Sequence, residues 1–137
     1  MSDGFSIDEM EVGQTASMSK TVTEADIVMF AGVTGDFNPA HIDAEYAASS
    51  MFKERIAHGM LSAGFISATL AMKLPGPGTI YLGQQLKFKA PVLINDTVKT
   101  VVTIKSIDEK RKIVVLDTTC SVAGKTVLAG DATMMKP

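Results

Sequence analysis

The chain has 137 residues, 46% of them apolar and 20% charged, with 13 Lys and Arg against 15 Asp and Glu for a net charge of −2. At about 150 residues per domain this is one domain, residues 1–137, able to bury a single apolar core but too short for a nucleotide fold joined to a substrate fold, and its composition is far from that of a disordered segment. The balanced, scattered charge gives no footprint for nucleic acid or an anionic membrane surface.

Asp3 stands where a signal peptide would carry basic residues, so secretion is not expected. Residues 15–23 suit a strand, and Thr23 followed three residues later by Asp26 reads as the cap of a helix. That helix places Ile27, Phe30, Ala31 and Thr34 on one face and stops at Gly35. A polar turn follows over residues 36–41, and Asp43 caps a short helix through Glu45, Tyr46 and Ala47.

From Gly59 to Met72 nearly every residue is apolar or small, which predicts a helix enclosed by protein. The apolar stretch 60–74 is interrupted by Lys73 and is shorter than the roughly 20 residues of a spanning helix, so no membrane partner is expected. Residues 74–78, Leu-Pro-Gly-Pro-Gly, end the helix and the period changes to two. Ile80, Leu82, Leu86, Phe88 and Ala90 alternate with polar neighbours as in a half-buried strand. Strands over 98–107, 113–122 and 126–134, joined by tight turns, complete an expected antiparallel meander. Cys120 is the one cysteine, which excludes an internal disulfide and a multi-thiolate zinc site and makes a reducing, cytoplasmic compartment the expectation.

Helices first and strands after is an α+β order, and an antiparallel sheet wrapped around a long central helix is the hot-dog fold. Such a sheet leaves an edge and part of its helix uncovered, so a two-fold homodimer is expected.

The candidate chemistry lies in two short segments. Fully extended, the five steps from Asp36 to His41 would separate their side chains by about 17 Å. Gly35 releases the preceding helix, Pro39 fixes its own φ and Asn38 is pushed out of the α region, so the segment bends and the two side chains can meet. An ordinary capped turn explains the same residues and stays open at this point. His58 and Gly59 precede the buried helix, where unpaired N–H groups and the positive end of the dipole are available to a ligand oxygen. Ala63 and Ser67 continue a stripe of small residues along it.

Asp36-Phe37-Asn38-Pro39-Ala40-His41 resembles the D-x-N-P-x-H motif of (R)-specific enoyl-CoA hydratases, the hydratase-2 branch of the MaoC-like hot-dog superfamily. Residues 56–61 with 64–67 resemble that family's central-helix signature, and residues 83–92 with 95–97 the strand that follows. The resemblance implies a catalytic dyad of Asp36 and His41, with Asn38 orienting it, the Gly59 N–H binding a thioester oxygen, and Ser67 holding Asp36 from the helix. It further implies reversible syn hydration of a trans-2-enoyl-CoA to an (R)-3-hydroxyacyl-CoA, with an acyl-CoA thioester as substrate and no cofactor or metal. Ala40 departs from the Leu or Ile of many relatives. Other readings remain at this stage: dehydration of a 3-hydroxyacyl group on acyl carrier protein, a thioesterase, a two-His-one-carboxylate metal site of Asp36, His41 and His58, and a non-catalytic thioester-binding subunit.

Overall fold

Side-chain caps set the helix boundaries at the start of the chain. In the computed structural model, which describes residues 3–137, β1 (Thr15–Thr21) leads into α1 (Glu24–Thr34). Met1 and Ser2, on which part of the expectation about secretion falls, lie outside the described residues. At α1 the Thr23 hydroxyl accepts the Asp26 N–H at 3.1 Å and the Asp26 carboxylate accepts the Thr23 N–H at 2.9 Å, a reciprocal capping box. The Lys20 ammonium on the same carboxylate holds Asp26 below the usual carboxylate range. Gly35 ends α1 at φ 82°, a left-handed conformation that glycine adopts without a Cβ penalty.

Two short helices follow, α2 (Pro39–Ile42) and α3 (Ala44–Ala48). The residues expected to form only a polar turn therefore include one helical turn, because Asn38 caps it and Pro39 occupies its first position. The long helix is α4 (Gly59–Met72).

Four more strands, β2 (Ile80–Phe88), β3 (Thr97–Asp108), β4 (Ile113–Val122) and β5 (Lys125–Met135), complete an open five-stranded antiparallel sheet of order β1-β3-β4-β5-β2. Strands β3, β4 and β5 form the expected meander, with tight turns at 109–112 and 123–124. The expected pairing of β2 with β3 is corrected: β2 pairs with β5 at the far edge. The physical reason is the connection, residues 89–96, which is no hairpin turn. It crosses the fold, where Val92 O accepts the Ala57 N–H at 2.7 Å and Asn95 N–H donates to Val22 O at 2.7 Å.

Helix α4 lies against β1, β3 and β4 in the hot-dog arrangement. Ile66 and Leu70 of α4 join Val98, Val102, Leu116, Cys120 and Ala132 in one apolar cluster. Burial pushes the Cys120 thiol pKa up. The expectation that α4 is enclosed on every side is corrected for the single chain: Ser62, Ile66, Thr69 and Leu70 are buried, but Met60 and Met72 are 57% and 55% exposed. The half-buried reading of β2 is corrected likewise. Ile80, Leu82 and Phe88 are exposed, since β2 is an edge strand and a register shift between Tyr81 and Gly83 interrupts its alternation. No helix among the described residues is long and apolar enough to cross a membrane.

Gly130 of β5 shows how closely β2 is applied. A Cβ there would sit 1.7 Å from the Gln85 carbonyl oxygen. Gly130→Ala is expected to lower the unfolding free energy by at least about 2 kcal/mol. Gly32→Ala, where a Cβ meets nothing within 4 Å on α1, should raise it by about 0.5–1 kcal/mol. Urea denaturation of the two variants checks the pair, and equal effects would contradict this packing.

Candidate active site

The segment between α1 and α2 is folded back on itself by its own polar groups. Asp36 N–H donates to the Thr34 hydroxyl at 3.1 Å, Asn38 N–H donates to the Asp36 carboxylate at 3.1 Å, and the Asn38 side-chain oxygen accepts the Ala40 N–H at 3.1 Å. Each bond spans two residues, the local pattern by which Asp, Asn and Thr compete with regular structure. Arg55 ties the fold-back down from outside. Its Nε donates to His41 O at 2.6 Å, while its two terminal nitrogens make a bidentate pair with Glu24 of α1 at 2.8 and 3.0 Å.

The result brings three side chains together. Ligand-capable atoms of Asp36, His41 and His58 lie within 4.8 Å of one another. His41 Nδ1 is 2.8 Å from Ile56 O. A carbonyl oxygen only accepts, so Nδ1 carries the proton, and in the neutral ring Nε2 keeps a free lone pair. His58 Nε2 is 2.9 Å from Asp36 O and by the same reasoning donates to it. Both imidazole orientations are thus set by backbone carbonyls.

The fold thus brings His58 to the other two, the proximity that the metal-site reading requires. The His41 and His58 rings stack, with centroids 3.9 Å apart and planes 27° from parallel. Ring lone pairs lie in the ring planes, so stacking directs them side by side instead of at one point, a poor match to a facial metal triad.

A cavity of about 480 Å³ opens beside this cluster, lined by His41, His58, Gly59, Ser62, Phe88 and Leu128 among others, and its wall is mostly apolar. Gly59 begins α4, and its N–H has no acceptor among the described residues. A donor at the positive end of a helix dipole thus borders an apolar space next to a carboxylate and an imidazole.

Four of the five residues singled out in the sequence gather here. Asp36, Asn38, His41 and Gly59 share one corner of the fold. Asn38 acts through its backbone and its cap, bonding Asp36 and Ala40 and not the His41 ring. Ser67 is the exception. It lies eight residues along α4 from Gly59, about 12 Å at 1.5 Å per residue. Among the described residues no hydrogen bond joins it to Asp36, whose carboxylate is held by the Asn38 amide instead. Ala40, which departs from Leu or Ile, is not among the residues lining the cavity. Sequence reasoning missed Arg55 as a brace, and no local signal marks its partner Glu24, 31 residues away.

Residues 8–126 match the MaoC like domain. The chain belongs to that family. It is 55% identical over 130 residues to the (R)-specific enoyl-CoA hydratase of Rhodospirillum rubrum, covering 95% of this chain and 90% of that one. It is 43% identical to the 3-hydroxybutyryl-CoA dehydratase of Methylorubrum extorquens, covering 95% of this chain and 83% of that one. The solved unliganded R-hydratase PhaJ1 of Pseudomonas aeruginosa superposes with a TM-score of 0.93 at 47% identity, over 98% of this chain and 86% of that one. In this MaoC-like chain the motif at residues 36–41, the helix start and the cavity lining up to Val92 fall within the matched residues, while Val127 and Leu128 lie just beyond them.

Close approach explains the glycine at the start of α4. A Cβ on Gly59 would lie 2.7 Å from the Phe88 ring. Gly59→Ala alone is expected to cost about 1–3 kcal/mol of stability, and to cost nothing in a Phe88→Ala background, since the clash is then gone. A double-mutant cycle by urea denaturation measures this coupling, and strict additivity would contradict it.

Proposed function

We propose that this MaoC-like chain, read as a single hot-dog domain, is a hydro-lyase. It adds water reversibly to short and medium trans-2-enoyl-CoA thioesters to give (R)-3-hydroxyacyl-CoA, with Asp36 and His41 as its catalytic dyad. The observation that carries this reading is the approach of the Asp36 carboxylate to the His41 ring beside an apolar cavity and the unpartnered Gly59 N–H. The relatives named above, one an (R)-specific enoyl-CoA hydratase and one a 3-hydroxybutyryl-CoA dehydratase, carry names for the two directions of one reaction.

Hydration needs a base for water, a proton for Cα and a stabiliser for the enolate oxygen. Asp36 supplies the carboxylate, and His41 Nε2 is the free imidazole nitrogen. Between them they hold one water, remove a proton from it as its oxygen bonds to Cβ, and return a proton to Cα on the same face. The two groups share their protons, so the dyad acts as a unit. The Gly59 N–H donates to the thioester oxygen as negative charge builds there, a contribution of about 2.7–4 kcal/mol for one such donor. The apolar wall receives the acyl chain and keeps bulk water from the enolate. Asn38 positions the carboxylate through its amide.

The reading includes a homodimer and a cytoplasmic location. The edge strand β2 presents exposed Ile80, Leu82 and Phe88 together with unpaired backbone groups, and α4 adds Met60 and Met72. A second copy pairing through β2 would cover both. The single, buried Cys120 suits a reducing compartment.

Two measurements test the proposal. Asp36→Asn and His41→Ala are each expected to remain folded and to lose about 10²–10⁴-fold in crotonyl-CoA hydration, followed as loss of enoyl-thioester absorbance. Full activity in either variant would remove the dyad. Leu82→Glu, a charge on the β2 edge, is expected to shift the protein from dimer to monomer in analytical ultracentrifugation, and a monomeric parent chain would contradict the assembly.

A further inference from the structure

His58 is buried more deeply than either member of the proposed dyad, with only 2% of its surface exposed. Among the described residues its Nδ1 has no hydrogen-bond partner, a buried polar atom that a space-filling role would not select. The ring lies between two others. Phe30 of α1 meets it at a centroid distance of 4.8 Å in a tilted contact, and His41 of α2 stacks on it at 3.9 Å. At its far edge Nε2–H reaches the Asp36 carbonyl at 2.9 Å across 22 residues of sequence. One side chain therefore touches the backbone of Asp36 and the ring face of His41, from the residue that immediately precedes Gly59.

We propose that His58 is a positioning residue that holds both members of the dyad in register with the start of α4. Its N–H fixes where the Asp36 backbone stops, and hence where that carboxylate begins. Its ring face fixes the plane in which His41 Nε2 presents its lone pair, the other edge of His41 being set by Ile56 O. The unpartnered Nδ1 is tolerated because the ring must supply a donor on one side and a flat face on another, which no aliphatic side chain offers. The inference rests on the dyad reading and names a residue that reading does not use.

The test compares three variants in crotonyl-CoA hydration, with kcat and KM separated and folding followed by thermal melting. His58→Leu fills the space but offers neither donor nor ring. His58→Gln restores an N–H near the Nε2 position, and His58→Phe restores the ring alone. Displacement of reacting groups by about 1 Å costs on the order of 100-fold, so the Leu variant is expected to lose about 100-fold in kcat with KM changed less than about three-fold. The Gln variant should recover at least about ten-fold of that loss although it is the less apolar filler. Leu and Gln variants within two-fold of one another in kcat, or a loss confined to KM, would overturn the proposal. If the Leu variant fails to fold, His58→Phe decides: a loss of ten-fold or more in kcat supports the positioning role, and a smaller loss overturns it. Asp36→Asn measured alongside separates the two levels, since activity in that variant removes the dyad itself, whereas its inactivity beside a fully active His58→Phe removes only the role of His58.

Discussion

The site depends on a single fold-back of the chain between Gly35 and His41. Without it the Asp36 and His41 side chains stand about 17 Å apart; with it they are within 4.8 Å. Asn38 is the pivot, because its amide binds the Asp36 carboxylate while its side chain caps α2, the turn that carries His41. Pro39 has no N–H to lose at the first position of that turn, and Gly35 accepts the left-handed φ that ends α1. Each of these residues answers a backbone requirement, and the chemistry follows from where the backbone then puts the side chains.

The rest of the fold holds that corner against the start of α4. Residues 89–96 cross from β2 to β3 beneath it and bind Ala57 through Val92. Arg55 joins the fold-back to α1, and the sheet buries the opposite face of α4 through Ile66 and Leu70. The Gly59 N–H is left free because it belongs to the first turn of a helix whose cap, His58, turns its side chain to Asp36 instead of to α4.

Local chemistry was legible in the sequence and long-range pairing was not. The Thr23–Asp26 box, the Gly35 stop and the Asp43 cap involve residues two to four apart, and each lies where the pattern indicated. Strands β3, β4 and β5 were readable because tight turns force neighbours to pair. Strand β2 looked half-buried from its alternation, but alternation does not say which strand lies beside it or whether a helix covers it. The meeting of Asp36 and His41 was legible because Gly35, Asn38 and Pro39 dictate a bend. The place of His58 was not legible, since it reaches across 22 residues to Asp36.

A water held jointly by Asp36 and His41 must give up its oxygen and its proton to the same face of the double bond. Hydration of crotonyl-CoA in D2O, followed by NMR and chiral analysis of the product, reads this directly. The expected product is (R)-3-hydroxybutyryl-CoA carrying one deuterium at C2 on the face that received the hydroxyl. Deuterium on the opposite face, or the S alcohol, would contradict a shared water at this dyad.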